Sequence, residues 1–352
     1  MIDIFASVLS LFEDTDLVWI EFVICLSIIV AAGSSLAKYG DLIAEKTGLG
    51  RVWIGVVLLA AVTSLPELAN GISSVTFVGK PDLAMGDLFG SNLINLVIIA
   101  IIDLVPRRGL VLHYLGTGII LSTVLSLGLV AAAAASLFLA QNLLTVEIFG
   151  RLGIYSVVLF AMYLMAQYMI FRFQQGKSED DKISEVKPDV SKESTRRVIT
   201  FFAIAALMTA GAGIWLASIG SRISEQTGLS ASFVGTLFLA ICTSAPEVVV
   251  SIFAARLGAI DMAVGNMVGS NLFNMGFIIF MVDLFYAPGP VLQGVDMVHI
   301  ITALFAILMS CVVIMGVIYR PRLWLRVSVN TILLVVFYLG AMATLYSLSK
   351  PA

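Results

Sequence analysis

The chain has 352 residues, 60% of them hydrophobic and only 12% Asp, Glu, Lys or Arg, with a mean hydropathy of +1.04. Soluble domains are about a quarter charged, so this composition excludes them and indicates an integral membrane protein. A net charge of −3 without a basic patch gives no support for nucleic-acid binding.

The chain opens with Asp3, Glu13, Asp14 and Asp16 and no basic stretch, unlike a cleaved signal peptide. Ten apolar runs follow, near 18–40, 51–78, 82–105, 113–136, 148–172, 198–220, 231–256, 261–286, 296–319 and 323–348. About 20 apolar residues suffice to cross a bilayer as a helix, so the expected fold is an all-α membrane protein with ten transmembrane helices. The short alternating strands that a β-barrel requires are not seen. Residues 173–197 are the only long polar stretch. They mix Asp180, Asp181, Lys182, Glu185 and Lys187 without apolar periodicity, and read as a solvated connector. That divides the chain into two five-helix halves, 1–172 and 198–352. Cys25, Cys242 and Cys311 are scattered through apolar runs without metal-ligand spacing and read as small packing residues.

The second run contains Thr63-Ser64-Leu65-Pro66-Glu67, and the seventh contains Thr243-Ser244-Ala245-Pro246-Glu247, 180 positions later. The likeness extends over about 39–104 and about 219–284. Tyr39-Gly40 to Leu49 follows the pattern of Ile219-Gly220 to Leu229, and Gly55 pairs with Gly235. Gly86–Asn95 matches Gly265–Asn274 with one residue lost between, and Asp103-Leu104 matches Asp283-Leu284. With five spans per half, equivalent helices cross the membrane in opposite directions, which predicts two inverted five-helix repeats. Of the 20 basic residues, all but Lys80, Arg151, Arg222 and Lys350 fall on one face. By the positive-inside rule that face is cytoplasmic, with the central loop inside and the amino terminus outside.

A carboxylate at mid-bilayer costs ~2.5–3.5 kcal/mol on insertion scales, so an intramembrane Glu marks an ion or substrate path. Two at matched positions predict one shared site, with Glu67 and Glu247 holding a cation between the repeats. Pro66 and Pro246 remove a helix hydrogen bond, kink their spans and free carbonyls near Ala60, Ala61 and Thr63, and near Ala240, Ile241 and Thr243. Helical spacing puts Ala60, Thr63 and Glu67 on one face, and likewise Ala240, Thr243 and Glu247. Ser91 and Asn95 share a face four residues apart, as do Ser270 and Asn274, and add neutral oxygens. Gly86 and Gly90 permit close approach of a neighbouring helix. Carboxylate, hydroxyl and carbonyl oxygens are hard ligands that suit Na+ and Ca2+.

In these elements the chain resembles the sodium/calcium exchanger family of the cation/calcium antiporters, of the prokaryotic type with two α-repeats. The resemblance covers nearly the whole chain. It implies a core of the second, third, seventh and eighth spans, with the first and sixth sliding across it to alternate access. The implied ion ligands are Glu67, Glu247, Thr63, Ser64, Thr243, Ser244, the carbonyls of Ala60 and Ala240, Ser91 and Ser270, with Asn95 and Asn274 completing the ring. The chain departs from the family pattern in three places. Val62 and Cys242 stand where Gly is usual, Asn274 where sodium-coupled members often carry Asp, and Asp87 where Asn is common. With Asn95 and Asn274 neutral, two carboxylates are expected in the core.

The expected function is secondary antiport of Ca2+ against Na+ by alternating access in a prokaryotic cell membrane, without a cofactor or enzymatic step and with a monomer sufficient for transport. H+/Ca2+ exchange, or exchange of another divalent ion, is the alternative. An intramembrane aspartyl protease, suggested by Gly86-Asp87, needs a second facing Asp, which Asp103 and Asp283 at span ends do not supply. A passive channel conflicts with a charged pair that binds too tightly for fast release.

Overall fold

A computed structural model describes residues 17–47, 59–104, 115–143, 146–148, 151–175, 194–256, 258–319, 323–324 and 327–349. The amino-terminal acids, Gly55 and most of the central loop (176–193) lie outside the described residues. So do many of the basic residues of the charge count, among them Arg51, Arg107, Arg108 and Arg320.

The elements, in order, are α1 (Leu17–Thr47), α2 (Ala60–Thr63), α3 (Leu65–Thr76), α4 (Pro81–Leu104), α5 (Thr117–Asn142), α6 (Ile154–Gln175) and α7 (Thr195–Thr227). Then come α8 (Ala231–Val234), a π-helical turn (Gly235–Leu239), α9 (Ala240–Thr243), α10 (Ala245–Arg256) and α11 (Ile260–Phe273). A second π-helical turn (Asn274–Ile278), α12 (Ile279–Phe285), α13 (Val298–Tyr319) and α14 (Val329–Ser349) complete the chain. Among the described residues eight helices are long and apolar enough to cross a membrane, and the bent pair 231–243 and 245–256 makes a ninth. The span expected at 51–78 begins outside the described residues, and α2 and α3 are its described part.

Two expected spans start late. Short antiparallel strand pairs precede them, β1 (Glu147–Ile148) with β2 (Leu152–Gly153) and β3 (Leu323–Trp324) with β4 (Val327–Ser328). Helix begins only at Ile154 and Val329. Short apolar runs read alike for strand and helix, so composition alone placed these starts several residues early. Conversely, α1 and α7 are longer than expected, at 31 and 33 residues. At 1.5 Å per residue α7 is about 50 Å long, well beyond the ~30 Å hydrocarbon core. It stops at Gly228, whose φ of 69° supplies the left-handed cap that a side chain disfavours.

Burial shows which helices are central. In α4, 89% of the most apolar window is buried, and in the span from Ile260 to Phe285 it is 72%, against 22% in α14 and 28% in α7. The outer helices turn residues such as Leu207, Phe253, Ile318 and Leu339 outward, as lipid contact requires. Cys25 and Cys242 are buried, and Cys25 Sγ donates to the Ala212 carbonyl at 3.2 Å, while Cys311 is exposed. α1 runs along α7. Each also packs on a proline-headed helix from the other end of the sequence, α1 on α10 and α7 on α3. α13 and α14 cover α4, while α5 covers α11 and α6 covers the second π turn and α12.

Candidate ion-binding centre

The centre is built where α2 ends and α3 begins, and where α9 ends and α10 begins. A proline ring clashes with the carbonyl four residues back and offers no N–H, so a helix entering Pro66 or Pro246 cannot continue regularly. Both helices break two residues ahead, at Ser64 (φ −83°, ψ 13°) and Ser244 (φ −80°, ψ 3°), and the second pair bends by 44°. Each proline then sits in the first turn of a new helix, where its missing N–H costs nothing. The kinks fall where the sequence puts them. The Ala60 and Ala240 carbonyls, however, are not left free. Ser64 N donates to Ala60 O at 3.0 Å and Ser244 N to Ala240 O at 3.1 Å, and the Thr63 and Thr243 hydroxyls lie 3.3 and 3.5 Å from the same oxygens.

Glu67 and Glu247 are fully buried. Their contacts cross over: Ser244 Oγ donates to Glu67 Oε1 at 3.3 Å, and Ser64 Oγ donates to Glu247 Oε1, also at 3.3 Å. Ser270 Oγ donates to Glu247 Oε1 as well, at 3.4 Å. The second oxygen of each glutamate, Oε2, is buried and meets no donor among the described residues. Asn95 Nδ2 donates to Asn271 Oδ1 at 2.9 Å, and among the described residues neither its own Oδ1 nor either amide atom of Asn274 finds a partner. Buried polar atoms normally find partners, so this group of orphans marks a place shaped for something else.

A further carboxylate lies close by: Asp87 is buried on α4, where its Oδ1 accepts from Thr243 Oγ1 at 2.8 Å and from Ser91 Oγ at 3.4 Å. In the sequence Asp87 stands out only as a departure from the family pattern and as a candidate protease acid. Asn70 was also missed, although it lies three residues after Glu67 on the same face; its Nδ2 donates to Asp87 Oδ2 at 2.6 Å. In the other copy Asn266 Oδ1 accepts from Thr63 Oγ1 at 3.4 Å, and its Nδ2 donates to Ser251 Oγ at 3.4 Å. No second Asp faces Asp87 among its hydrogen-bond partners. Nor do three acidic, histidine or cysteine side chains converge on one metal position among the described residues.

Two helix contacts hold this arrangement. A Cβ at Gly86 would stand 2.7 Å from the Ser232 carbonyl, and one at Gly90 would stand 2.9 Å from the Ala240 Cβ, so only glycine lets α4 lie against the first π turn. Gly33 of α1 lies against the Pro246 ring, and Gly213 of α7 lies against the Pro66 carbonyl and Ala69. Neither Gly33 nor Gly213 stood out in the sequence, although they too are 180 positions apart.

Solved structures share this architecture. A structure of the sodium-calcium exchanger NCX_Mj superposes with a TM-score of 0.61 at 19% identity, covering 92% of this chain and 97% of that one. The H+/Ca2+ exchanger CAX gives 0.69 at 13% identity, covering 99% and 90%. Among curated relatives, the putative antiporter CaxA of Alkalimonas amylolytica is 25% identical over 70% of this chain and 74% of its own. The sodium/calcium exchanger MaX1 of Methanosarcina acetivorans is 23% identical over 74% and 81%. The family profile described as sodium/calcium exchanger protein matches residues 17–169 and 197–347, the two stretches that carry the crossed glutamates. The chain is thus a multi-pass membrane transporter rather than an enzyme, and it belongs to the sodium/calcium exchanger family of cation antiporters.

Proposed function

We propose that this chain exchanges Ca2+ for Na+ by alternating access, with the ions held between Glu67 and Glu247. The observation that carries the reading is the crossed pair of Ser–Glu contacts, which leaves two buried carboxylate oxygens facing no donor. One Ca2+ neutralises both glutamates. Monovalent cations do the same in its absence, helped by the neutral oxygens of Thr63, Ser64, Ser91, Asn95, Thr243, Ser244, Ser270 and Asn274 and by the second lone pairs of the Ala60 and Ala240 carbonyls. An empty centre leaves uncompensated charge in a low-dielectric interior, so return without cargo is disfavoured and exchange is enforced.

Access alternates, in this reading, when α1 and α7 slide together over the four-span core on their glycine contacts at Pro246 and Pro66. The basic-residue bias supports a cytoplasmic central loop and an external amino terminus, and the likeness to bacterial and archaeal antiporters supports a prokaryotic cell membrane. A single chain contains every group that the exchange requires. Proton coupling is the second reading, favoured by the two orphan Oε2 atoms, which need no further ligand to take up a proton. Sodium is preferred because the centre supplies many neutral oxygens that a proton does not use. In proteoliposomes at fixed pH with a protonophore, an outward Na+ gradient should drive Ca2+ uptake. Uptake that follows only a pH gradient and ignores Na+ would replace sodium with the proton.

A further inference from the structure

Asp87 lies one helical turn before Ser91 on α4 and is fully buried. Asn70 Nδ2 holds its Oδ2 at 2.6 Å. Its other oxygen, Oδ1, accepts from Thr243 Oγ1 at 2.8 Å and from Ser91 Oγ at 3.4 Å, and those two hydroxyl oxygens are themselves 3.4 Å apart. A hydroxyl has one hydrogen and two lone pairs. Once a carboxylate takes the hydrogen, the oxygen can meet a third group only as an acceptor, which is what a cation needs. A bond to an ionised acceptor is also roughly twice as strong as a neutral one, so the hydroxyl's orientation is held firmly.

The other copy lacks this feature. Thr63 has a neutral amide oxygen, Asn266 Oδ1, at 3.4 Å, but its hydroxyl also lies 3.0 Å from Leu59 O and 3.3 Å from Ala60 O. Its one hydrogen is divided among several acceptors instead of being committed to one carboxylate oxygen at 2.8 Å, as that of Thr243 is. Ser270 gives its hydrogen to Glu247 itself. The Glu67 and Glu247 Oε2 atoms and the Asn274 amide, which meet no partner among the described residues, are the unfilled polar groups of the same centre.

We propose that Asp87 is a positioning residue of the centre. By holding the hydroxyl hydrogens of Thr243 and Ser91 it presents both oxygens to the cation as acceptors, and it makes that side the stronger cation subsite. The proposal rests on the reading of the centre as a cation-exchange site. Asp87 acts through the hydroxyls and is not itself a member of a three-acid metal cage. Because Asn266 occupies the matching position toward Thr63, a carboxylate there should perform the same service from the opposite side. Its present neighbours, Ser251 and Thr63, both carry hydroxyls able to donate to it.

The test compares wild type, D87N, T243A, D87N/T243A and D87N/N266D in proteoliposomes, with flux normalised to monodisperse protein. The readouts are the apparent KM for Ca2+ and the maximal rate. D87N should raise KM about tenfold, the loss of one charge-assisted orientation, with a smaller change in maximal rate. T243A should raise KM similarly, and adding D87N to T243A should cost little more, because the carboxylate would have lost its main client. D87N/N266D should recover most of the affinity. A wild-type KM in D87N, fully additive losses in the D87N/T243A pair, or no recovery in D87N/N266D would overturn the proposal. If D87N does not fold, a wild-type KM in T243A overturns it alone. Wild-type protein that moves no cation would instead remove the exchange reading on which the proposal rests.

Discussion

At the scale of single residues, Glu67 and Glu247 each keep one carboxylate oxygen satisfied by a serine and the other by no donor among the described residues. Burying a carboxylate with a vacant oxygen costs several kcal/mol, and packing alone offers no return for two such groups. A cation bridging the vacant oxygens removes the cost, which gives the strongest single prediction. Glu67→Gln or Glu247→Gln keeps shape and hydrogen-bonding capacity but leaves one charge where a divalent ion needs two. Each variant should lower Ca2+ flux more than a hundredfold while membrane insertion and monodispersity in detergent are retained. Near-wild-type flux in either would remove the shared centre. These two residues were legible in the sequence because a carboxylate in an apolar run is conspicuous by itself. Asn70 and Asp87 were not, since their role depends on which side chain faces them across helices, and that is a property of packing rather than of spacing.

At the scale of elements, the long helices α1 and α7 are held to each other near one end. Arg222 of α7 makes a two-pronged ion pair with the buried Glu21 of α1, one of its bonds being 2.8 Å, and Trp215 Nε1 adds a third bond to the same carboxylate at 3.2 Å. In the proposed sliding, a pair clamped in this way would move as one body. Its contacts with the rest include close glycine approaches at Pro246 and Pro66, a hydrogen bond from Ser73 Oγ to the Ile214 carbonyl at 3.2 Å, and a surface salt bridge, Lys80 to Glu225 at 2.7 Å, that joins α7 to the turn before α4. An exposed pair of that kind contributes at most about 1 kcal/mol, little enough to break during movement. Gly213→Ala puts a Cβ 2.7 Å from the Pro66 carbonyl and should cost about 1–3 kcal/mol of stability. It should also reduce exchange at least tenfold. Gly211→Ala, two positions away with open space around it, should leave both unchanged or raise stability slightly. Equal effects of the two substitutions on thermal stability and flux would show that close approach at Gly213 does not matter. The sequence displayed the motif prolines but not these glycines, because one glycine in an apolar helix looks like any other until its neighbour is known.

At the scale of the whole molecule, interactions on one side recur on the other with the halves exchanged. Thr331 at the start of α14 donates to Asp103 at the end of α4, at 2.7 Å. Ser156 near the start of α6 donates to Asp283 in α12, at 2.5 Å, where Tyr155 Oη and the Gly153 and Val291 amides also converge. Together with α1 on α10 and α7 on α3, these exchanged pairs support our inference of two inverted repeats related by an axis in the membrane plane. Hydropathy and the 180-residue repeat made the helices and their kinship readable. The strand pairs before α6 and α14 and the two π turns were not readable, because tertiary contacts impose them on runs whose composition fits a plain helix. If one centre serves both halves, saturation with Ca2+ should be single, and that is the most direct test of the account. Equilibrium Ca2+ binding to purified protein should give one ion per chain in the wild type and none in either Glu67→Gln or Glu247→Gln. One ion still bound with wild-type affinity in either variant would mean that the halves bind separately, and would contradict the shared site.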